Sequence, residues 1–208
     1  MLLFVLGCLE GRAPVEVDVV FQPVQGALPA GVQVDVLDLD VGSLRVLADT
    51  ETYAWVPSLV PSAHAHPGHE LAGDVRVELQ GRRMLDGLGS VVDLGLADGW
   101  TGDVATARLE LHAVSLSGSV TTADGRVLPF ALELEVERGI SGIPVDADLR
   151  ADIAQTFVLA FDPGAALDPV VWEDADGDGR LTADDTQFFN TVLFGLTSLN
   201  AWSLWEER

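Results

Sequence analysis

Asp174, Asp176 and Asp178 set three carboxylates at alternate positions, and Gly179, Thr182 and Asp185 follow within the same short run. Carboxylates spaced this way converge on one cation when the chain turns sharply behind the third of them. Gly179 supplies a backbone free to make that turn. An all-oxygen donor set suits a hard cation, calcium above all. Without an ion, each exposed pair of carboxylates about 4 Å apart repels by roughly 1 kcal/mol in water, and by more when partly buried. The alternative, a solvated acidic turn, leaves that repulsion uncompensated.

The segment Asp174 to Asp185 resembles the calcium loop of the EF-hand and dockerin families, with acids at positions 1, 3 and 5, glycine at 6 and an acid at 12. EF-hands usually carry a bidentate Glu at the last position, whereas Asp there is the usual choice in dockerin-type loops. The resemblance implies ligands from Asp174, Asp176, Asp178, Arg180, Thr182 and Asp185, with Leu181 packing inward. Thr182 also suits a helix N-cap. Pro169 makes Ala165 to Trp172 a poor entering helix. A solitary loop with a weak entering helix implies a structural ion that clamps a C-terminal helix to the rest of the chain. By contrast Asp35, Asp38 and Asp40, and Asp146 with Asp148, lack the spaced triplet and its glycine and read as strand and turn acids.

A second group with ligand chemistry is Ser62-Ala63-His64-Ala65-His66-Pro67-Gly68-His69-Glu70. Imidazoles two and three residues apart on a Pro/Gly loop can converge on copper or zinc, with His112 or Glu70 completing the set. The apolar parity switches after Ala113, from which a β-bulge beside His112 is expected. The competing reading is a surface loop whose histidines are solvated. A metal-assisted hydrolase on this loop would be the enzymatic version. No Gly-x-Ser-x-Gly elbow, His-Glu-x-x-His pair or phosphate-cradling glycine loop supports an enzyme otherwise.

The start of the chain is apolar as far as Cys8, the lone cysteine. Val5-Leu6-Gly7-Cys8 resembles a bacterial lipobox, which implies diacylation of Cys8 and a lipid anchor on the periplasmic or extracellular side of the cell envelope. Residues 1–11 then read as the truncated end of a signal segment. An ordinary hydrophobic terminus with a buried cysteine is the alternative. One cysteine excludes an internal disulfide and a multi-cysteine zinc site.

Thirty-three acidic residues face 11 basic ones, all arginine, for a net charge of -22. Such a field repels phosphate backbones, so nucleic acid is excluded as an expected partner, and it concentrates cations near the surface.

The elements that must carry these groups are mostly strands. Val15, Val17 and Val19 alternate with acids, as do Val32, Val34 and Val36 with polar residues, and Leu128, Phe130, Leu132, Leu134 and Val136 share one parity with Glu133, Glu135 and Glu137 on the other. The Asp124-Gly125 turn predicts a hairpin joining Ser115–Thr121 to the last of these. Further strands are expected at 43–47, 74–79, 90–94, 105–113 and 156–161. The predicted fold is mainly β, an antiparallel β-sandwich over residues 12–165, followed by the calcium loop and C-terminal helix over 166–208. Asp162 to Pro169 reads as a linker, and Thr182 to about Trp205 as one helix or two short ones, with Gly195 as a break.

Overall fold

The computed structural model describes residues 12–48 and 75–207. Cys8 and its lipobox-like flank, and His64, His66, His69 and Glu70, lie outside the described residues. Period-2 alternation builds most of the molecule. In β1 (Pro14–Pro23), Val15, Val17, Val19 and Phe21 are buried while Glu16 and Asp18 are exposed. The same logic runs through β2 (Val32–Ala48), β3 (Val75–Leu79), β4 (Arg83–Asp86), β5 (Val92–Trp100), β6 (Gly102–Thr121) and β7 (Val127–Leu149). The strands β8 (Gln155–Phe161) and β9 (Trp202–Glu207) complete the set.

These strands form one nine-stranded sheet in the order β7-β6-β2-β3-β5-β1-β8-β9, with β4 paired to β2. The pairing of β1 with β8 is parallel and the others are antiparallel. Because β9 also packs on β7, the sheet curls until its end strands meet, giving a nearly closed, barrel-like body. The mainly β class is as expected, and the layered antiparallel arrangement is refined to one curled, mixed sheet. Lying between β1 and β9, β8 is buried from Phe157 through Phe161 on both faces, the pattern expected of a strand with no wetted side.

Several elements differ from the sequence expectation for local reasons. The segments 105–113 and 115–121 are one strand, bent where the register shifts between Leu111 and Ala113; this is the expected bulge at His112. The strand expected at 90–94 runs instead from Val92 to Trp100, with Gly95 at φ 93° absorbing an irregularity. Within the expected linker, Pro163–Leu167 forms a short helix, α1. Asp162 caps it by accepting from the Ala165 N–H at 3.1 Å, and Pro163 occupies the first turn, where its missing N–H costs nothing.

The C-terminal helix α2 (Thr186–Leu196) ends one residue beyond Gly195. A Cβ at Gly195 would sit 1.8 Å from the Ala166 carbonyl oxygen, so the glycine lets α2 approach α1. The final residues are strand, not helix: Trp202–Glu207 pairs with β8, with Trp202 opposite Phe161 and their rings 4.8 Å apart. The Trp202 indole N–H donates to the Leu196 carbonyl at 2.8 Å, so its one polar atom is satisfied in the core. Trp205, in contrast, is 40% exposed. Leu167, Val170, Leu181, Phe188 and Leu196 belong to the same contiguous core as the sheet, so the segment beyond residue 165 is packed into the β body.

Candidate metal centre

Two left-handed glycines shape the acidic loop, Gly177 at φ 76° and Gly179 at φ 86°. With the backbone turned back on itself, the Asp174 carboxylate accepts from the Gly177 N–H at 2.8 Å and the Gly179 N–H at 3.1 Å. Asp176 accepts from the Asp178 N–H at 3.0 Å. From the far end, Asp185 reaches back to the N–H groups of Ala175 at 2.8 Å and Thr182 at 2.9 Å and so ties the two ends of the loop together. That use of its carboxylate leaves Asp185 as the N-cap residue of α2 without a side-chain cap bond. Thr182 does not cap the helix, which starts four residues later; its hydroxyl accepts from the Asp184 N–H at 3.2 Å.

Asp174, Asp176 and Asp185 each offer an oxygen within 4.8 Å of the other two. The side chains of Asp174 and the whole of Asp185 are only 1% exposed. Asp178 stands apart from this group: it accepts from the Arg180 N–H at 2.9 Å and lies 3.6 Å from the Arg180 guanidinium. One basic group reaches the trio among the described residues, Arg126, whose Nη1 is 4.0 Å from Asp174 and which is itself 61% exposed. Two nearly buried carboxylates face one point with so weak a countercharge; the four backbone N–H groups they accept from offset part of their desolvation, and a bound cation would offset more.

The loop is fastened to the sheet through Leu181, which is fully buried. Its N–H donates to the Pro129 carbonyl at 2.9 Å and its carbonyl accepts from the Ala131 N–H at 3.3 Å, a one-residue parallel bridge to Phe130 on the edge of β7. Trp172, just before the loop, and Phe188, on α2 just after it, both meet Phe130: centroid distances are 5.1 Å from Trp172 to Phe130, 5.5 Å from Trp172 to Phe188 and 6.2 Å from Phe130 to Phe188. The inward Leu181 was legible from its loop position. Nothing in the sequence placed Arg126, from the β6–β7 turn, beside Asp174.

His112 sits at the β6 bulge with Nδ1 2.9 Å from a Glu137 carboxylate oxygen, and Glu137 has a left-handed φ of 42°. Its other nitrogen faces Gly42, where a Cβ would approach to 2.4 Å. Among the described residues His112 belongs to no group of three metal-ligating side chains. Nearby, Arg82 grips Asp40 through contacts of 2.6 to 2.8 Å and holds its carboxyl below the usual carboxylate range. A folded-state value below the unfolded one stabilises the fold above about pH 4, and that contribution is lost as pH falls through the lowered value. Because Arg82 is 57% exposed, solvent screens the pair and its contribution to stability is small. Arg82→Ala is therefore expected to lower the urea midpoint slightly at neutral pH, and the difference should shrink as pH falls below the usual carboxylate range.

No family model matches the chain, and neither the curated proteins nor the solved structures contain a match to it. Among the described residues no helix is long and apolar enough to cross a membrane.

Proposed function

We propose that this is a calcium-binding protein of the cell envelope in which the ion fastens the 174–185 loop, and with it α2, to the edge of β7. The observation that carries this reading is the convergence of Asp174, Asp176 and Asp185, two of them nearly buried, within 4.8 Å. Oxygens on opposite sides of a calcium ion stand about 4.6–5.2 Å apart, from its oxygen distances of about 2.3–2.6 Å. The smaller magnesium ion requires oxygens drawn in closer, to about 2.1 Å from the metal, and dehydrates reluctantly. The Arg180 carbonyl, Thr182 and water are available to complete the seven or so ligands that calcium takes.

Calorimetric titration tests this. Wild-type protein is expected to bind calcium with a dissociation constant of roughly 0.1–1 mM, the range of extracellular modules, and Asp174→Ala to give no heat. Equal heats from the two proteins, or none from either, would remove the calcium reading. Arg126→Ala is expected to tighten calcium binding several-fold, since the guanidinium 4.0 Å from Asp174 places a like charge beside the bound ion.

The envelope part of the proposal rests on Val5-Leu6-Gly7-Cys8. Cys8→Ser in the full-length protein is expected to move the chain from the membrane fraction to the soluble fraction. Unchanged partitioning would reject the lipid anchor. A copper- or zinc-binding reading of His64, His66 and His69 has no supporting observation among the described residues.

A further inference from the structure

We propose that a cleft on the outer face of the sheet, remote in the fold from the acidic loop, is a saccharide-binding site. The cleft has a volume of about 770 Å³ and lies over β1, β3 and β5 beneath the loop that joins β7 to β8. That volume is in the range of small-molecule sites, roughly 300–1,000 Å³.

Its lining combines three chemistries. Trp100 and Ile153 give it an apolar surface, and they are 50% and 47% exposed although both are large hydrophobic side chains. Glu16 and Asp98 are direct cross-strand partners, so like charges oppose each other on neighbouring strands, an arrangement that destabilises a sheet. Neither carboxylate takes a hydrogen bond or ion pair from another described residue, which leaves acceptor capacity directed at the cleft. Arg76, 6% exposed, and Arg150, which shares its guanidinium with Asp152 at 2.8 Å, bring positive charge to the same walls.

This mixture discriminates among ligands. An anion meets Glu16, Glu78 and Asp98, and a cation meets Arg76 and Arg150, with Glu78 already held by Arg45 and Gln80 and Arg150 by Asp152, so neither finds a site of one sign. A neutral ligand with an apolar face and a rim of hydroxyl groups uses every part at once. Its C–H face lies on the indole, while its hydroxyls donate to the carboxylates and accept from the guanidinium. Saccharides have this chemistry. The overhanging wall is also fixed before any ligand arrives. Gln155, 4% exposed, accepts from the Arg150 N–H at 2.9 Å and donates to the Asp148 carbonyl at 3.0 Å and to Glu206 at 2.8 Å. Less ordering then remains to be done on binding.

The experiment follows tryptophan emission and calorimetric heat as cellohexaose, xylohexaose, mannohexaose and chitohexaose are each added at millimolar concentration to the calcium-loaded protein. At least one is expected to bind. Trp100→Ala should weaken it by about tenfold or more, a loss of about 1.4 kcal/mol, while Trp100→Phe keeps most of the affinity by keeping a flat ring. Asp174→Ala should bind the sugar as wild type does, so a failure of the calcium reading would not be mistaken for a failure of this one. Binding of none of the four, or equal binding by wild type and Trp100→Ala, would overturn the proposal. So would binding of a lysine-rich peptide or inorganic phosphate in their place.

Discussion

Asp174→Ala abolishes the rise in thermal midpoint that calcium is expected to produce in the wild-type chain. An ion that binds only the folded state stabilises it by about 2.7 kcal/mol at a hundred times its dissociation constant. For a chain of this length each kcal/mol moves the midpoint by about 2–4 °C, so the wild-type rise should be about 5–11 °C. Asp174 is the right residue to remove because its carboxylate is 1% exposed and organises the turn through Gly177 and Gly179 as well as facing the ion. Thermal scans of both proteins, in chelator and in excess calcium, separate the two roles. A lower midpoint for the variant in chelator reports the lost turn bonds, and only the calcium increment reports the ion. A variant that keeps the full increment would show that the ion is held elsewhere.

The loop was legible in the sequence because its chemistry is local. Alternating acids, a glycine that takes a left-handed φ of 86° and an inward Leu181 all fall within twelve residues, and no distant partner is needed to recognise them. The strands were legible for the same reason, since burial alternates wherever one face of a sheet is wet. Sheet order was not, because the parallel β1–β8 pair and the closing contact of β9 with β7 join residues far apart in the chain. The helix expected over Thr182 to about Trp205 stops at Leu196, and the chain differs again at Trp202. The structure starts a strand there, placing Trp202 against Phe161, which no local pattern reveals. Gly195 shows the same limit. Local propensity marks it as a helix breaker, and only the Ala166 carbonyl, which an added Cβ would meet at 1.8 Å, shows that it is there for close packing. Arg126 is the clearest case, a hairpin-turn residue whose relation to Asp174 exists only once β7 lies beside the loop.

Phe188→Ala is expected to cost about 3–5 kcal/mol of stability, the usual loss when a buried phenylalanine is emptied and the surrounding packing only partly relaxes. Phe188 is fully buried and meets both Trp172 and Phe130, so it joins the segment entering the loop, the helix leaving it and the β7 edge to which Leu181 is bonded. If the ring only filled space, urea midpoints would fall by the same amount with and without calcium. The triad does more than that when the ion is a clamp. Without Phe188 the two ends of the loop lose their common anchor, the ligands must be ordered at the moment of binding, and calcium affinity falls along with stability. The calcium increment in urea denaturation should therefore shrink in Phe188→Ala. A variant that loses stability but keeps the wild-type increment would separate the loop from the aromatic cluster and leave the ion bound without fastening anything.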